Sequence, residues 1–130
     1  MITITRGVLM ESKAAIDSLG KVYVPVGKEK YWFIKTLSKL QMALKREGKN
    51  FTKESNRLIE VLGTEQPNKR KGIQKENVDA MDKYNEGMEK YSEMPVTVDV
   101  KQFTLTQLQE AQVTLQANDQ VALMWLLAEE

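Results

Sequence analysis

Two aspartates, Asp79 and Asp82, are the clearest candidates for acid–base chemistry in this sequence. They stand three residues apart on a predicted helix, a spacing that places both carboxylates on one helical face. Such a pair can in principle serve as a general acid and a general base. A helix face exposed to water shows the same pattern, and this is the interpretation we adopt. We therefore predict that the protein is not an enzyme and has no catalytic residue.

The absence of two residue types narrows the possible chemistry further. The sequence contains neither cysteine nor histidine. This excludes disulfides, thiolate catalysis and cysteine-based zinc sites. It also excludes the Ser-His-Asp arrangement and the usual imidazole ligands of transition metals. The seven glycines are isolated from one another, without the spacing of a phosphate-binding loop, so we expect no cofactor and no metal ion.

Binding is better indicated than catalysis, because large aromatic residues are grouped at one point of the chain. Tyr31, Trp32 and Phe33 are consecutive, and tyrosine and tryptophan are enriched at the energetic centres of protein interfaces. The alternative is that these rings belong to the core. The candidate interface for a protein partner comprises Tyr31, Trp32, Lys35, Lys39, Tyr84 and Tyr91.

Charge is distributed unevenly along the chain, although the net charge is only +1. Residues 1–75 carry 16 Lys and Arg against 7 Asp and Glu, a net charge of +9, and residues 76–130 carry 3 against 11, a net charge of −8. A basic half can bind nucleic-acid phosphates, but the two halves can also pack together and offset their charges, which is the interpretation we favour. The candidate basic patch comprises Lys45, Arg46, Lys49, Lys69, Arg70 and Lys71.

A long helix must position most of these residues. From Phe33 to Leu62 the apolar residues, with Gly48 and Ser55 filling two gaps in the series, recur at steps of three and four. The period is about 3.6 residues, which is that of an α-helix. The phase does not slip at Gly48, so we predict one helix over about residues 28–62. Its beginning is apolar on every side and should be buried or covered by a partner, whereas the part beyond Leu44 should lie at the surface.

The remaining segments predict an α+β, mainly α domain around this helix. Helices are expected over about residues 6–19, 75–93 and 117–128, with a small antiparallel sheet from about residues 2–5 and 96–101. The helix over residues 75–93 should fold back antiparallel on the long helix, with its acidic residues facing the lysines there. An extended segment after the first helix is a second possible partner strand.

Length and hydropathy predict a single soluble domain. A chain of 130 residues is one domain by default, here residues 1–130. The start of the sequence lacks the basic and apolar regions of a signal peptide. The longest apolar stretch, residues 121–128, is far shorter than the ~20 residues that span a bilayer. We expect a cytoplasmic protein that does not enter a membrane.

Several short motifs follow one another along the chain in a distinctive order. They are Pro25-Val26, Tyr31-Trp32, Leu58-Ile59, Gly63, a valine-rich strand at residues 94–100, and a Leu-x-Trp-Leu core at residues 123–126. In this order they resemble a group of small proteins of unknown function encoded by tailed bacteriophages. The resemblance spans most of the chain, although the basic cluster at residues 69–71 and Gly48 depart from the group's pattern. It implies a viral origin, with the protein in the cytoplasm of an infected cell or associated with the virion.

Three functions follow from these observations. The first is a non-enzymatic, phage-type protein–protein interaction module that serves as a virion or assembly accessory factor. The second is a phage-encoded modulator that binds a host defence or nucleic-acid-processing protein, as an inhibitor or a trigger. The third is nucleic-acid binding through the basic N-terminal half. The first two predict the same partner surface, and the sequence does not indicate an oligomeric state.

Overall fold

The structure is a computed structural model in which residues 1–21, 31–65, 71–74 and 76–129 are described. In chain order its elements are β1 (Ile2–Thr5), α1 (Arg6–Glu11), α2 (Lys13–Gly20), α3 (Tyr31–Leu62), β2 (Thr64–Glu65), β3 (Lys71–Gly72), α4 (Val78–Glu93), β4 (Pro95–Val98), α5 (Leu105–Glu110) and α6 (Ala117–Ala122). The fold is α+β and mainly helical, as predicted. Some predictions concern residues outside the described ranges. These are the extended segment after the first helix, the predicted first three residues of the long helix, and Lys69 and Arg70.

The long helix α3 is continuous from Tyr31 to Leu62, which confirms the prediction of one unbroken helix over the described residues. Its 32 residues extend for about 48 Å at 1.5 Å per residue. Gly48 does not interrupt the helix, because an interior glycine costs only about 1 kcal/mol relative to alanine. The buried apolar residues of α3 are Phe33, Leu40, Ala43, Leu44 and Leu58.

The single helix predicted over residues 6–19 is wrong in one respect, because Ser12 divides it into α1 and α2. The buried Ser12 hydroxyl donates to the carbonyl of Val8 at 2.8 Å and accepts from Nε1 of Trp125 at 2.8 Å. A serine hydroxyl that bonds back to its own helix tends to bend it. At the start of α1, the Thr5 side chain accepts from the backbone N–H of Val8 and caps the helix.

The predicted antiparallel sheet forms between β1 and β4, with Ile2 opposite Val98. The range predicted for the second strand, residues 96–101, is wrong at its C-terminal end, because β4 ends at Val98. There the N–H of Val100 donates to the carbonyl of Val98 at 2.9 Å, a contact between residues two apart that turns the chain. Both valines are buried in the main core, so the sheet anchors the N-terminus against it.

Helix α4 lies antiparallel against the second half of α3. It begins three residues after its predicted start, because the side chain of Asn77 accepts from a backbone N–H in the first turn and caps it there. Near the end of α4, Tyr91 packs edge-on against Phe51 with ring centroids 5.0 Å apart. Closer to its start, the Tyr84 hydroxyl lies 2.6 Å from that of Ser55. The earlier residue of α3 thus contacts the later residue of α4, and the later residue of α3 contacts the earlier one, as expected for antiparallel helices.

The acidic residues of α4 do not pair with α3 lysines among the described residues, contrary to the prediction. Asp79, Asp82, Glu86 and Glu89 are all exposed. Glu86 instead pairs with Lys90 of its own helix at 3.0 Å. The face of α4 that meets α3 consists of small and aromatic residues, and this places the carboxylates on the outer side.

The C-terminal helix predicted over residues 117–128 ends early, because α6 has only six residues. The following residues form turns, and the backbone then pairs with Phe103. The N–H of Phe103 donates to the carbonyl of Leu126 at 3.2 Å, and its carbonyl accepts from the N–H of Ala128 at 2.9 Å. Leu123 and Leu126 are fully buried, which confirms the predicted place of this segment in the main core.

Candidate functional site

The aromatic residues at the start of α3 are divided between the core and the solvent. Phe33 is buried, Trp32 is half-buried and Tyr31 is 65% exposed. The Trp32 ring meets Phe33 edge-on, with centroids 5.9 Å apart, and lies against Phe103 at 5.5 Å. Ile34 is 47% exposed. The chain therefore covers one side of this helix end and leaves Tyr31 and Ile34 open to solvent.

A cavity of about 350 Å³ opens beside Trp32. Helix α3 contributes Trp32, Lys35 and Lys39 to its lining, and the segment after β4 contributes Lys101 and Phe103. Three of the six residues proposed for a partner interface therefore meet at one cavity. The two residues from the later segment were not predicted as site residues, because nothing in the sequence links them to the start of α3.

The side of α3 opposite the core carries a continuous exposed row of residues, which we call the outer stripe. Its members follow one another at steps of four and three residues, so they lie on a single helical face. The outer stripe comprises Tyr31, Lys35, Ser38, Met42, Arg46, Lys49 and Lys53, all of them exposed. It contains four cations, no carboxylate and two large apolar side chains, of which Met42 is 70% exposed.

The cations of the outer stripe take part in no ion pair among the described residues. Arg57, one turn beyond the stripe, shows the contrast. It binds Glu54 at 2.6 Å, and its hydrogen bonds hold the pKa of that carboxyl below its usual range. The charges of the outer stripe thus remain available to another molecule, whereas that of Arg57 is already neutralised.

Tyr84 and Tyr91, also proposed for the partner interface, are half-buried and make contacts within the chain. The hydroxyl of Tyr84 bonds Ser55, and the ring of Tyr91 lies between Phe51 and the guanidinium of Arg6, which is 4.7 Å from the ring centroid. These contacts belong to the packing of α4 on α3. The structure does not bring the two tyrosines to the cavity.

The proposed basic patch is not a single surface among the described residues. Lys45, Arg46 and Lys49 are exposed together on α3. Lys71 instead pairs with Glu60 at 3.2 Å, about 16 Å along the helix from Lys49 at 1.5 Å per residue. The other two members lie outside the described residues.

A buried ion pair on the core side of α3 was not predicted from the sequence. Nη1 of Arg6 donates to Oε1 of Glu47, which is only 1% exposed. A signal was present, since Glu47 is the one acidic residue between Glu29 and Glu54 and lies on the core side of the helix. The pair joins α1 to the middle of α3, on the face of the helix opposite the outer stripe.

The described residues offer little for catalysis. Asp79 and Asp82 are exposed on α4, as the solvated-face interpretation expects. Among the residues that the structure describes, no group of three or more His, Cys, Asp or Glu could hold a metal ion. In the same part of the chain, no helix is both long and apolar enough to cross a membrane.

No protein-family model matches this chain, and neither a curated protein nor a solved structure matches it at a significant level.

Proposed function

We propose that this chain is a non-enzymatic protein–protein interaction module that binds an acidic protein segment along the outer stripe of α3. The observation that carries the proposal is the composition of that stripe. Four cations with no ion-pair partner among the described residues lie there beside the exposed side chains of Tyr31 and Met42. Tyr, Met and Arg are enriched at interfaces, and the stripe has one of each. Its three lysines are of a type that interfaces contain less often, so they act mainly through their charge.

The charges indicate what kind of segment would bind. A partner carrying carboxylates would be attracted to the stripe, and such complementarity mainly raises the association rate and sets the orientation. Apolar contact with Tyr31 and Met42 would supply affinity that exposed ion pairs, at about 0.2–1 kcal/mol each, do not. The best fit is therefore an acidic amphipathic helix or strand with apolar residues on one face.

Within a virus, we propose that the partner is a virion or assembly protein. The resemblance to small phage proteins supports this setting, and a modulator of a host protein would use the same stripe. Mass spectrometry of purified particles and of assembly intermediates separates the two. Presence of the chain in either sample supports the assembly role, and its presence solely as free protein in infected cells supports the host modulator.

A photo-crosslinker placed on the stripe tests the proposed binding surface. With benzoylphenylalanine at position 42, we expect a covalent adduct whose partner peptide is acidic, because Met42 projects into solvent at the centre of the stripe. The matched control carries the crosslinker at Val121, which is equally exposed, at 69%, on α6. Equal adducts from both positions would contradict the proposal.

Charge reversal gives the second test of the same surface. We expect Lys49→Glu to reduce adduct yield about tenfold, because it turns an attraction into a repulsion. Lys83→Glu makes the same change of net charge on α4, where Lys83 is exposed and outside every described ion pair, and should leave the yield within about twofold. A loss of yield in both variants would show that overall charge, and not the stripe, governs binding.

Nucleic-acid binding is the second candidate, and one observation favours it. Lys45, Arg46, Lys49 and Lys53 are all exposed within just over two turns of α3. Phosphate neutralisation by such a group makes affinity fall steeply with salt. Retention on heparin that disappears as salt rises, together with an oligonucleotide adduct at position 42, would favour this candidate over a protein partner. Flow-through at low salt would exclude it.

A further inference from the structure

The cavity beside Trp32 combines an apolar floor with a charged rim. The floor consists of the Trp32 ring, Val100 and Phe103. The rings of Trp32 and Phe103 already meet in a tilted arrangement, with centroids 5.5 Å apart. The volume of about 350 Å³ falls at the lower end of the range for small-molecule sites. It is large enough for one aromatic side chain, whose ring could extend the existing aromatic cluster in the tilted or edge-on arrangements that such rings prefer.

The rim of the cavity is positively charged. Lys35, Lys39 and Lys101 line it, and Asp99 is the one carboxylate among the described residues of the lining. Asp99 lies 3.5 Å from Nζ of Lys39, so this pair is close to neutral. Lys35 and Lys101 have no described ion-pair partner. Two cations are therefore left to face whatever occupies the cavity.

We propose that this cavity binds an aromatic side chain of the partner protein that is flanked by carboxylates. The ring would lie on Trp32 and Phe103, and the flanking carboxylates would reach Lys35 and Lys101. This proposal rests on the proposed function and deepens it, because Lys35 belongs to both the cavity and the outer stripe. The partner segment would thus continue from the cavity along the stripe.

The continuity of the cavity with the outer stripe favours a peptide over a nucleotide. Lys35 and Lys101 carry point charges that attract any anion, so the rim alone does not select the occupant. A peptide chain can continue from the cavity along the stripe and also contact the exposed side chains of Met42 and Arg46. An aromatic ring with carboxylates beside it is typical of acidic peptide motifs, so we commit to a peptide segment and treat a nucleotide as an outcome of the test.

Four probes separate the contributions of ring and charge. They are acetyl-Asp-Phe-Glu-amide, the neutral acetyl-Asn-Phe-Gln-amide, the ringless acetyl-Asp-Ala-Glu-amide, and AMP. Each is titrated into the ¹⁵N-labelled full chain while amide chemical shifts are followed. We expect the first peptide to shift the amides around Trp32 and Lys101 and to bind about tenfold more tightly than the neutral or ringless peptide, because exposed charge pairs and aromatic contacts each contribute roughly that factor.

Surface variants test the rim without disturbing the core. Lys101→Ala should weaken the acidic peptide about threefold to fivefold, and Asp99→Asn should strengthen it by a similar factor, because it removes the like charge from the rim. Lys83→Ala is the matched control, since Lys83 is an exposed lysine of α4 that has no ion-pair partner among the described residues, does not line the cavity and lies outside the outer stripe. Its affinity should equal that of the unmodified chain.

Several results would overturn the proposal. These are equal affinity for the acidic and neutral peptides, chemical-shift changes only at amides away from the cavity, or tighter binding of AMP than of the acidic peptide.

Failure of the cavity proposal is distinguishable from failure of the proposed function. If the peptides do not bind but the adduct at position 42 still depends on Lys49, the cavity assignment alone is wrong. If the acidic peptide binds but position 42 gives no protein adduct, the outer stripe is the part that fails.

Discussion

At the scale of single residues, the pair of Arg6 and Glu47 shows how a charge can be tolerated inside this protein. The Glu47 carboxylate is almost fully buried and accepts from Arg6. The guanidinium also lies over the ring of Tyr91, 4.7 Å from its centroid, and a cation over an aromatic face is stabilised electrostatically. Nε of Arg6 is buried and has no partner among the described residues, so the pair is only partly satisfied.

Removing one member of this pair should be costly. We predict that Glu47→Ala lowers the free energy of unfolding by about 3 kcal/mol, the lower end of the range for a broken buried pair, because it leaves the guanidinium of Arg6, 21% exposed, without its partner. The double variant Arg6→Met with Glu47→Leu should recover most of that loss, because a buried ion pair replaced by apolar residues of similar size is often neutral. Urea unfolding of Glu47→Ala, of the single variants Arg6→Met and Glu47→Leu, and of the double variant provides the measurement.

Two results of the double-mutant cycle would contradict an energetic interaction between Arg6 and Glu47. A loss below ~1 kcal/mol in Glu47→Ala would mean that water reaches the pair and already solvates the charge. Additive losses in the double variant would mean that the two side chains do not interact energetically. Either result would remove this pair as the link between α1 and the middle of α3.

At the scale of elements, two glycines in helices provide a matched comparison. A Cβ built on Gly48 of α3 meets nothing within 4 Å, whereas one on Gly87 of α4 would lie 2.9 Å from Cδ1 of Leu58. We predict that Gly48→Ala raises the free energy of unfolding by about 1 kcal/mol, the difference in helix propensity between the two residues. Gly87→Ala should lack this gain, because the buried side chain of Leu58 would have to shift.

Thermal unfolding of the two variants decides the matter. If Gly48→Ala is destabilising, other parts of the chain pack more closely against this point of α3 than the structure shows. If both variants gain equally, the contact between α4 and Leu58 is looser than the structure indicates. In either case the unmodified chain is the reference.

The same scale shows why some elements could be predicted from the sequence and others could not. Helix α3 and the pairing of β1 with β4 carry their own periodic signals over enough residues to be recognised. The break at Ser12 depends on a hydrogen bond from Trp125, which is 113 residues away in the sequence. The early end of α6 depends on backbone pairing with Phe103. Neither contact leaves a local pattern.

Some residues of the candidate site could likewise be predicted from the sequence, and others could not. Tyr31, Trp32 and Lys35 could be selected because aromatic and cationic residues are adjacent in the sequence and share one helix end. Lys101 could not, because it reaches the cavity only through the turn that follows β4. Tyr84 and Tyr91 belong to the helical series of apolar residues in α4. Residues of that series pack against α3, so the two tyrosines lie between the helices and not at the cavity.

At the scale of the whole molecule, the opposite charges of the two halves meet in one ion pair among the described residues, that of Lys39 with Asp99. The acidic residues of α4 and the outer stripe of α3 both face solvent, and no described ion pair joins them. The two helices are held together by uncharged contacts such as those of Tyr84 with Ser55 and Tyr91 with Phe51. Salt should therefore affect what binds to the stripe far more than it affects the stability of the chain.

This arrangement bears on whether residues 1–130 form one domain, which stays a prediction. The main core lies around the first half of α3, whereas α4 and the short strand β3 lie against its second half. Arg6 links the two regions, because it contacts Glu47 of α3 and Tyr91 of α4. We therefore predict that both regions unfold together, as small single domains usually do.

Two probes can test this cooperativity. Trp32 and Trp125 both pack against the main core, so their fluorescence reports on that region, whereas far-UV circular dichroism also reports on α4 and the second half of α3. Coincident urea transitions by the two probes are expected for the unmodified chain. In Glu47→Ala the link is cut, so the dichroism transition should begin at lower urea than the fluorescence transition. If the two already separate in the unmodified chain, α4 and the end of α3 form an arm that unfolds independently of the core.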